Sequence, residues 1–97
     1  MEILEPQENI FTVYSKSGCP NCIKVKQLLK NKQIIFTIVD CDEFILADKN
    51  VFLQKMKEIT GKECKYFPMV FDNKQFIGGF LETSNHIEKI LDFNLTF

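Results

Sequence analysis

Lys16-Ser17-Gly18-Cys19-Pro20-Asn21-Cys22 follows an apolar run, Ile10 to Tyr14, and leads into a helical pattern. The stretch therefore lies where a strand hands over to a helix. The first turn of a helix has backbone N–H groups without intrahelical partners and the positive end of the macrodipole, and both favour a thiolate over a thiol. Cys19 sits at that terminus. Pro20 takes the first helical position, where its missing N–H costs nothing and its fixed φ is already helical. Cys22 lies three residues on, on the same face. The spacing allows a small disulfide, with Cys19 exposed at the helix tip and Cys22 further into the fold. Lys16 adds a positive charge upstream. Thiols in such settings have pKa values of roughly 3.5–7.5, so Cys19 reads as the attacking thiol and Cys22 as its resolving partner.

A Cys-x-x-Cys is also half of a zinc site. Structural zinc sites bring a second pair of close ligands. Here Cys41 and Cys64 stand apart, and His86 lies inside the last helical pattern. Redox chemistry is the better reading, and no metal is expected.

A chain of 97 residues with 45% hydrophobic residues, ten of them Phe, is read as one domain, 1–97, that buries a core without disulfide staples. Its polar, acidic start, 1–9, reads as a mobile lead-in. Met1 to Pro6 lacks the basic start and long apolar stretch of a signal peptide, so an intracellular, cytoplasmic setting is expected. Thiols are held reduced there, which makes a Cys-x-x-Cys catalytic before it is structural. No stretch approaches a membrane span. The net charge is −1, and all 12 basic residues are Lys. Without Arg or a lysine cluster, a nucleic-acid role is excluded. Lys24, Lys26, Lys30 and Lys32 fall mostly in the later turns of the first helix and form a solvated face. The chain is expected to be a monomer.

Ile10 to Tyr14 shows little alternation, which suits a central strand covered on both faces. The helix from Pro20 to about Asn31 turns Cys22, Val25, Leu28 and Leu29 inward. A second buried-type run, Ile34 to Val39, completes a βαβ unit with parallel strands. Asp40 to Glu43 then reads as an acidic loop. A helix from about Val51 to Thr60 buries Phe52, Met56 and Ile59 and ends at Gly61. Pro68-Met69-Val70-Phe71 opens a third strand, Asp72-Asn73-Lys74 turns the chain, and Gln75-Phe76-Ile77 returns antiparallel. Gly78-Gly79 marks either a sharp turn or a close approach of the backbone. A last helix runs from Thr83 or Ser84 to about Phe93, with Ile87, Ile90 and Leu91 inward and His86 on the surface. The pattern is an α/β domain, a mixed four-stranded sheet with helices on both faces.

The Cys-Pro-x-Cys after the first strand, Phe67-Pro68 opening the third and Gly78-Gly79 after the fourth, in a chain this short, together resemble a glutaredoxin. Thioredoxin proper is a poorer match, since that family shows a Trp before Cys-Gly-Pro-Cys and this sequence has no Trp. The resemblance implies a thioredoxin fold of three layers, α/β/α, with strand order 4-3-1-2. It implies a thiol–disulfide oxidoreductase that uses glutathione as reducing co-substrate and disulfide-bearing proteins or glutathione mixed disulfides as substrates. It places glutathione on Lys16, Asn21, Phe67, Pro68, Gly79, Leu81 and Glu82, and makes the Phe67–Pro68 bond cis and close to Cys19 and Cys22.

The chain also departs from the family pattern. Asn21 replaces the usual Tyr between the cysteines and opens that part of the site. Tyr66-Phe67-Pro68 replaces Thr-Val-Pro. Leu81 and Glu82 stand where the family has a small residue and Asp. The alternatives are a thioredoxin-like reductant served by a reductase and an iron–sulfur cluster binding glutaredoxin. Pro20 argues against the second, because cluster binding favours a smaller or more flexible residue there.

Overall fold

A computed structural model of the chain describes residues 2–95. The element order is β1 (Phe11–Ser15), α1 (Pro20–Asn31), β2 (Phe36–Asp40), α2 (Asp42–Ala47), α3 (Lys49–Thr60), β3 (Met69–Asp72), β4 (Gln75–Gly78) and α4 (Phe80–Leu95). The four strands form one sheet in the order β2-β1-β3-β4. This is the expected thioredoxin-fold order read from the other edge. β1 pairs with β2 in parallel, and with β3 antiparallel, so it is central as its sequence implied.

Alternation along the strands sends successive side chains to opposite faces. Tyr14, Val39, Met69 and Phe71 pack on one face against Phe52 and Met56 of α3. Phe11, Val13 and Val70 pack on the other against Val25 and Leu29 of α1 and Ile87 of α4. The β3–β4 hairpin turns through Asn73 and Lys74, both at positive φ (51° and 73°), the geometry that matches the twist of paired strands. Gly61 ends α3 at φ 80°.

The structure corrects several readings. β2 begins at Phe36, not Ile34, and is an edge strand, with Ile35 79% and Ile38 47% exposed. Gln33 adopts φ 58° and the Ile34 N–H donates to Leu29 O at 2.9 Å, so closing α1 consumes the residues before pairing starts. Asp42 and Glu43 belong to a short helix rather than a loop, and Asp48 caps the next helix by accepting from the N–H groups of Asn50 and Val51. α4 starts at Phe80, three residues before Thr83. Ile90, expected inside, is exposed. Residues before β1 contact the body of the domain at several points. Ile3 packs against the core, Pro6 is buried, Tyr14 donates its hydroxyl to Leu4 O at 2.5 Å, and the Gln7 N–H donates to Thr12 Oγ1 at 3.1 Å.

Candidate active site

β1 ends beside Asp40 of β2, and the chain then turns through Lys16, Ser17 and Gly18 to the tip of α1. Gly18 holds φ 67°, a conformation that side chains strain to adopt. Cys19 is the N-cap residue in extended conformation, and its Sγ accepts the Cys22 N–H at 3.2 Å. Sulfur thus fills the place usually taken by a Ser or Asp oxygen, where an acceptor satisfies an otherwise orphaned N–H. No acidic residue occupies the first turn of α1, so nothing there opposes a negative sulfur. Cys19 and Cys22 are joined as a disulfide with Cα atoms 5.2 Å apart. Cys19 is 8% exposed and Cys22 1%, the expected order with a more enclosed tip than the sequence implied.

Two contacts fix the loop before Cys19. Asp42, in the first turn of α2, accepts the Ser17 N–H at 2.9 Å and the Ser17 hydroxyl. These hydrogen bonds, with help from nearby Lys16 and Lys26, hold the Asp42 carboxyl below the usual carboxylate range. Lys16 lies with its Nζ 5.6 Å from the ring centroid of Phe67, and that ring stacks on Phe52 at 5.9 Å. The large side chain of Phe67 is thereby directed into the core cluster around Phe52.

The Phe67–Pro68 bond is cis, as the resemblance implied. Gly79 is the residue before α4, and its N–H donates to Glu82 Oε1 at 2.8 Å, a carboxylate reaching back over the first turn. Gly78 holds φ 135°, and a Cβ there would lie 2.8 Å from Glu82 Cβ. A Cβ on Gly79 would lie 3.7 Å from Pro68 O. The glycine pair is therefore a turn and a close approach at once.

Asn21, Phe67, Pro68, Gly79, Leu81 and Glu82 line one groove of about 550 Å³. Lys16 and Cys19 line an adjoining cavity of about 580 Å³ that shares Asn21, Tyr66 and Phe67 with it. All the residues assigned to glutathione thus fall on one continuous surface next to Cys19. Cys22 does not face that surface; it lines a cleft between α1 and β2 with Cys19, Ile23 and Ile38. Among the described residues, no cluster of His, Cys, Asp or Glu is arranged to hold a metal ion.

The glutaredoxin family model matches residues 11–77, from the start of β1 into β4. The chain belongs to the glutaredoxin family. It is 31% identical over 85 residues to glutaredoxin 1 of Rickettsia conorii, covering 82% of this chain and 78% of the relative. Glutaredoxin 1 of Francisella tularensis, solved in complex with cacodylate, superposes with a TM-score of 0.72 at 27% identity, over 84% of this chain and 95% of that one. A buckwheat glutaredoxin–glutathione complex superposes with a TM-score of 0.65 at 26% identity, over 91% and 74%. With its Cys19–Cys22 pair, this member is of the dithiol type and is a thiol–disulfide oxidoreductase.

The remaining thiols of this glutaredoxin differ from the pair. Cys41 is fully buried, donates weakly to Val39 O at 3.5 Å, and is pushed up to about 12 by burial, with Asp40 and Asp42 adding to the shift. Cys64 is half-buried, 3.8 Å from Tyr66 O, and lines the groove. His86, read as a surface residue, is half-buried with its Nε2 2.8 Å from Asp72 Oδ2 and its ring 6.2 Å from that of Phe11. The sequence reading missed Asp42 and the part Tyr66 plays in both cavities. Helix-start chemistry was visible at Asp42; its partner, Ser17, lies 25 residues away.

Proposed function

We propose that this oxidoreductase takes its electrons from glutathione and reduces glutathione mixed disulfides and protein disulfides. The observation that carries the reading is the groove that runs from Asn21 at the tip of α1 to Gly79, Leu81 and Glu82 at the start of α4. Its volume lies in the ~300–1,000 Å³ range of small-molecule sites. A helix N-terminus suits a carboxylate, and the N–H groups of Phe80 and Leu81 offer one to the γ-glutamyl end. Glu82 uses Oε1 on Gly79, and its second oxygen remains to accept the glutathione amine. Phe67 offers its backbone to the cysteinyl unit as a short strand would, with its ring out of the way against Phe52. Asn21 and Leu81 flank the peptide, and Lys16 adds positive charge near the sulfur.

In this mechanism the Cys19 thiolate attacks the glutathione sulfur of a mixed disulfide. A Cys19–glutathione disulfide forms and the protein thiolate leaves with the electron pair of the broken S–S bond. A second glutathione thiolate then attacks the glutathione sulfur, releasing glutathione disulfide and restoring Cys19. With a protein disulfide, Cys22 attacks the Cys19 sulfur of the intermediate and expels the product. Two glutathione molecules then return the Cys19–Cys22 disulfide to dithiol. The reading places the chain in a glutathione-rich reducing compartment, the cytoplasm, acting as a monomeric single domain.

Turnover of a small glutathione mixed disulfide, coupled either to glutathione with glutathione reductase or to thioredoxin reductase, tests the donor. Turnover is expected in the first arm alone. Activity confined to the second would replace this reading with a thioredoxin-like one.

A further inference from the structure

Cys22 must lose a proton before it attacks, and the cleft it lines lies apart from the glutathione groove. Strand alternation decides what faces it there. Ser15 follows Phe11 and Val13 at two-residue steps along β1, so its side chain lies on the α1 side of the sheet, as theirs do. Ile38 and Asp40 follow Phe36 along β2 onto the same side. Ser15 and Asp40 are register partners across the parallel pair. All three line the cleft of about 300 Å³ with Cys22, and Ile23 and Lys26 of α1 complete it. Ser15 is 3% exposed. Its backbone oxygen accepts the Cys41 N–H at 2.9 Å, whereas its hydroxyl bonds to no protein group among the described residues. No side-chain oxygen or nitrogen among those residues is both sealed from solvent and unpaired, so the hydroxyl opens onto the cleft. A buried hydroxyl in that position suits a water, and the space far exceeds the ~30 Å³ share of one. The charged groups lining the cleft are Lys16, Lys26 and Asp40. The two lysines are donors that cannot take a proton. Asp40 can. Its Oδ1 accepts the Asp42 N–H at 3.0 Å, which leaves Oδ2, while the Asp42 carboxylate is turned onto Ser17.

We infer that this cleft is the proton exit for Cys22, with a water held by the Ser15 hydroxyl between the Cys22 sulfur and the Asp40 carboxylate. This rests on the resolving role proposed for Cys22. In that step the Cys22 S–H gives its proton to the water, and the water gives one of its own to Asp40. The electron pair left on the Cys22 sulfur forms the bond to the Cys19 sulfur, and the product thiolate leaves with the pair of the broken S–S bond. Asp40, exposed at the end of β2, returns its proton to solvent, and the product thiolate takes one up. Ser15 and Asp40 are thus positioning residues for the second half of the cycle. Cys19, held as a thiolate by the helix tip, has no proton to pass on when it attacks.

Stopped-flow reaction of excess reduced protein with dithiobis(nitrobenzoate) separates the two halves. Attack by Cys19 releases one coloured thiolate and resolution by Cys22 releases a second. That leaving group ionises readily, so the Cys22 proton governs the second phase. Asp40→Asn, which keeps an acceptor for the Asp42 N–H, is expected to lower the rate of the second phase relative to the first by about tenfold at about pH 6.5, short of the ~100-fold scale of a base in direct contact. The deficit should close as pH rises toward about 9, where hydroxide takes the proton unaided. Ser15→Ala is expected to lower the same ratio by about three- to tenfold, the scale of one hydrogen bond, with the same closure. An unchanged or raised ratio in Asp40→Asn overturns the inference, since a carboxylate acting through its charge alone opposes the Cys22 thiolate and its removal would speed the step. A deficit equal at every pH also overturns it, because a purely structural fault would not close. Wild-type protein that releases only the first thiolate overturns the resolving role of Cys22 and the inference with it. Two releases in the wild type, with no effect of either variant, overturn the inference alone.

Discussion

Cys19 and Cys41 each precede a helix as its N-cap residue, yet they are opposite kinds of thiol. Cys19 points its sulfur over the first turn of α1, accepts the Cys22 N–H, and borders two cavities. Cys41 makes no capping bond, gives its own hydrogen toward Val39 O, and is sealed in the core under Tyr14 and Phe52. Asp40 and Asp42 lie beside it, and burial holds it neutral. A helix terminus alone therefore does not make a nucleophile. The sulfur must accept from the exposed N–H groups and keep a path to solvent.

Exchanging oxygen for sulfur at each position breaks the comparison most sharply. Cys19→Ser is expected to lower disulfide reduction by at least about a thousandfold, the scale of losing a nucleophile. Cys41→Ser should leave the folded enzyme's turnover within about twofold, since surface access and not the core thiol sets the rate. Cys22→Ser should keep activity on glutathione mixed disulfides, because glutathione resolves them, and lose it on protein disulfides. Equal loss from Cys19→Ser and Cys22→Ser on the mixed disulfide would contradict the assigned roles.

A smaller effect is expected at Asp42, which steadies the loop before Cys19. Asp42→Ala should reduce turnover by about two- to fivefold, the scale of losing exposed hydrogen bonds, and Asp42→Asn, which keeps an acceptor for the Ser17 N–H, should fall between. Steady-state rates on one mixed disulfide measure this; a larger loss in Asp42→Asn than in Asp42→Ala would sink it. The smallest effect is on alkaline stability. The folded value of Cys41, about 12, lies above its ordinary 9.0, so the unfolded thiol ionises first. Stability from the neutral thiol is complete below pH 9 and is lost as pH rises from there toward about 12. Tyr14, also raised by burial, adds a loss that starts above its ordinary 10.0. The denaturation midpoint should therefore fall between pH 9 and 10 in the wild type and less in Cys41→Ala; parallel curves would contradict it.

Local chemistry made much of this legible in the sequence. The bounds of α1 followed from Pro20 and the spacing of Cys22, Val25 and Leu29, and the β3–β4 hairpin followed from Asn73-Lys74 between apolar runs. Lateral neighbours were harder to read. An apolar run such as Ile34 to Val39 looks the same whether its strand is central or at an edge, and only the sheet order exposes Ile38. The start of α2 was read as an acidic loop, because the helix is short and fully buries no side chain, with only Phe44 and Ile45 packed partly against the core. The early start of α4 was visible in the Gly79-x-x-Glu82 spacing, but glycine at a cap is a weaker signal than Ser or Asp. Ser17–Asp42 and His86–Asp72 join residues far apart in the chain, and no local pattern announces them. The groove residues were named through family resemblance; composition and periodicity alone did not assemble them.

The central claim is that the tip of α1, and no other helix start, makes the reactive thiol. After reduction of the Cys19–Cys22 disulfide, alkylation with iodoacetamide from pH 4 to 9, located by mass spectrometry, tests it directly. The account predicts that Cys19 alone is modified below pH 7, with an apparent pKa below that of an ordinary thiol, and that Cys41 stays unmodified until the chain unfolds. Modification of Cys41 or Cys64 before Cys19, or a Cys19 that titrates at the free-thiol value, would contradict it.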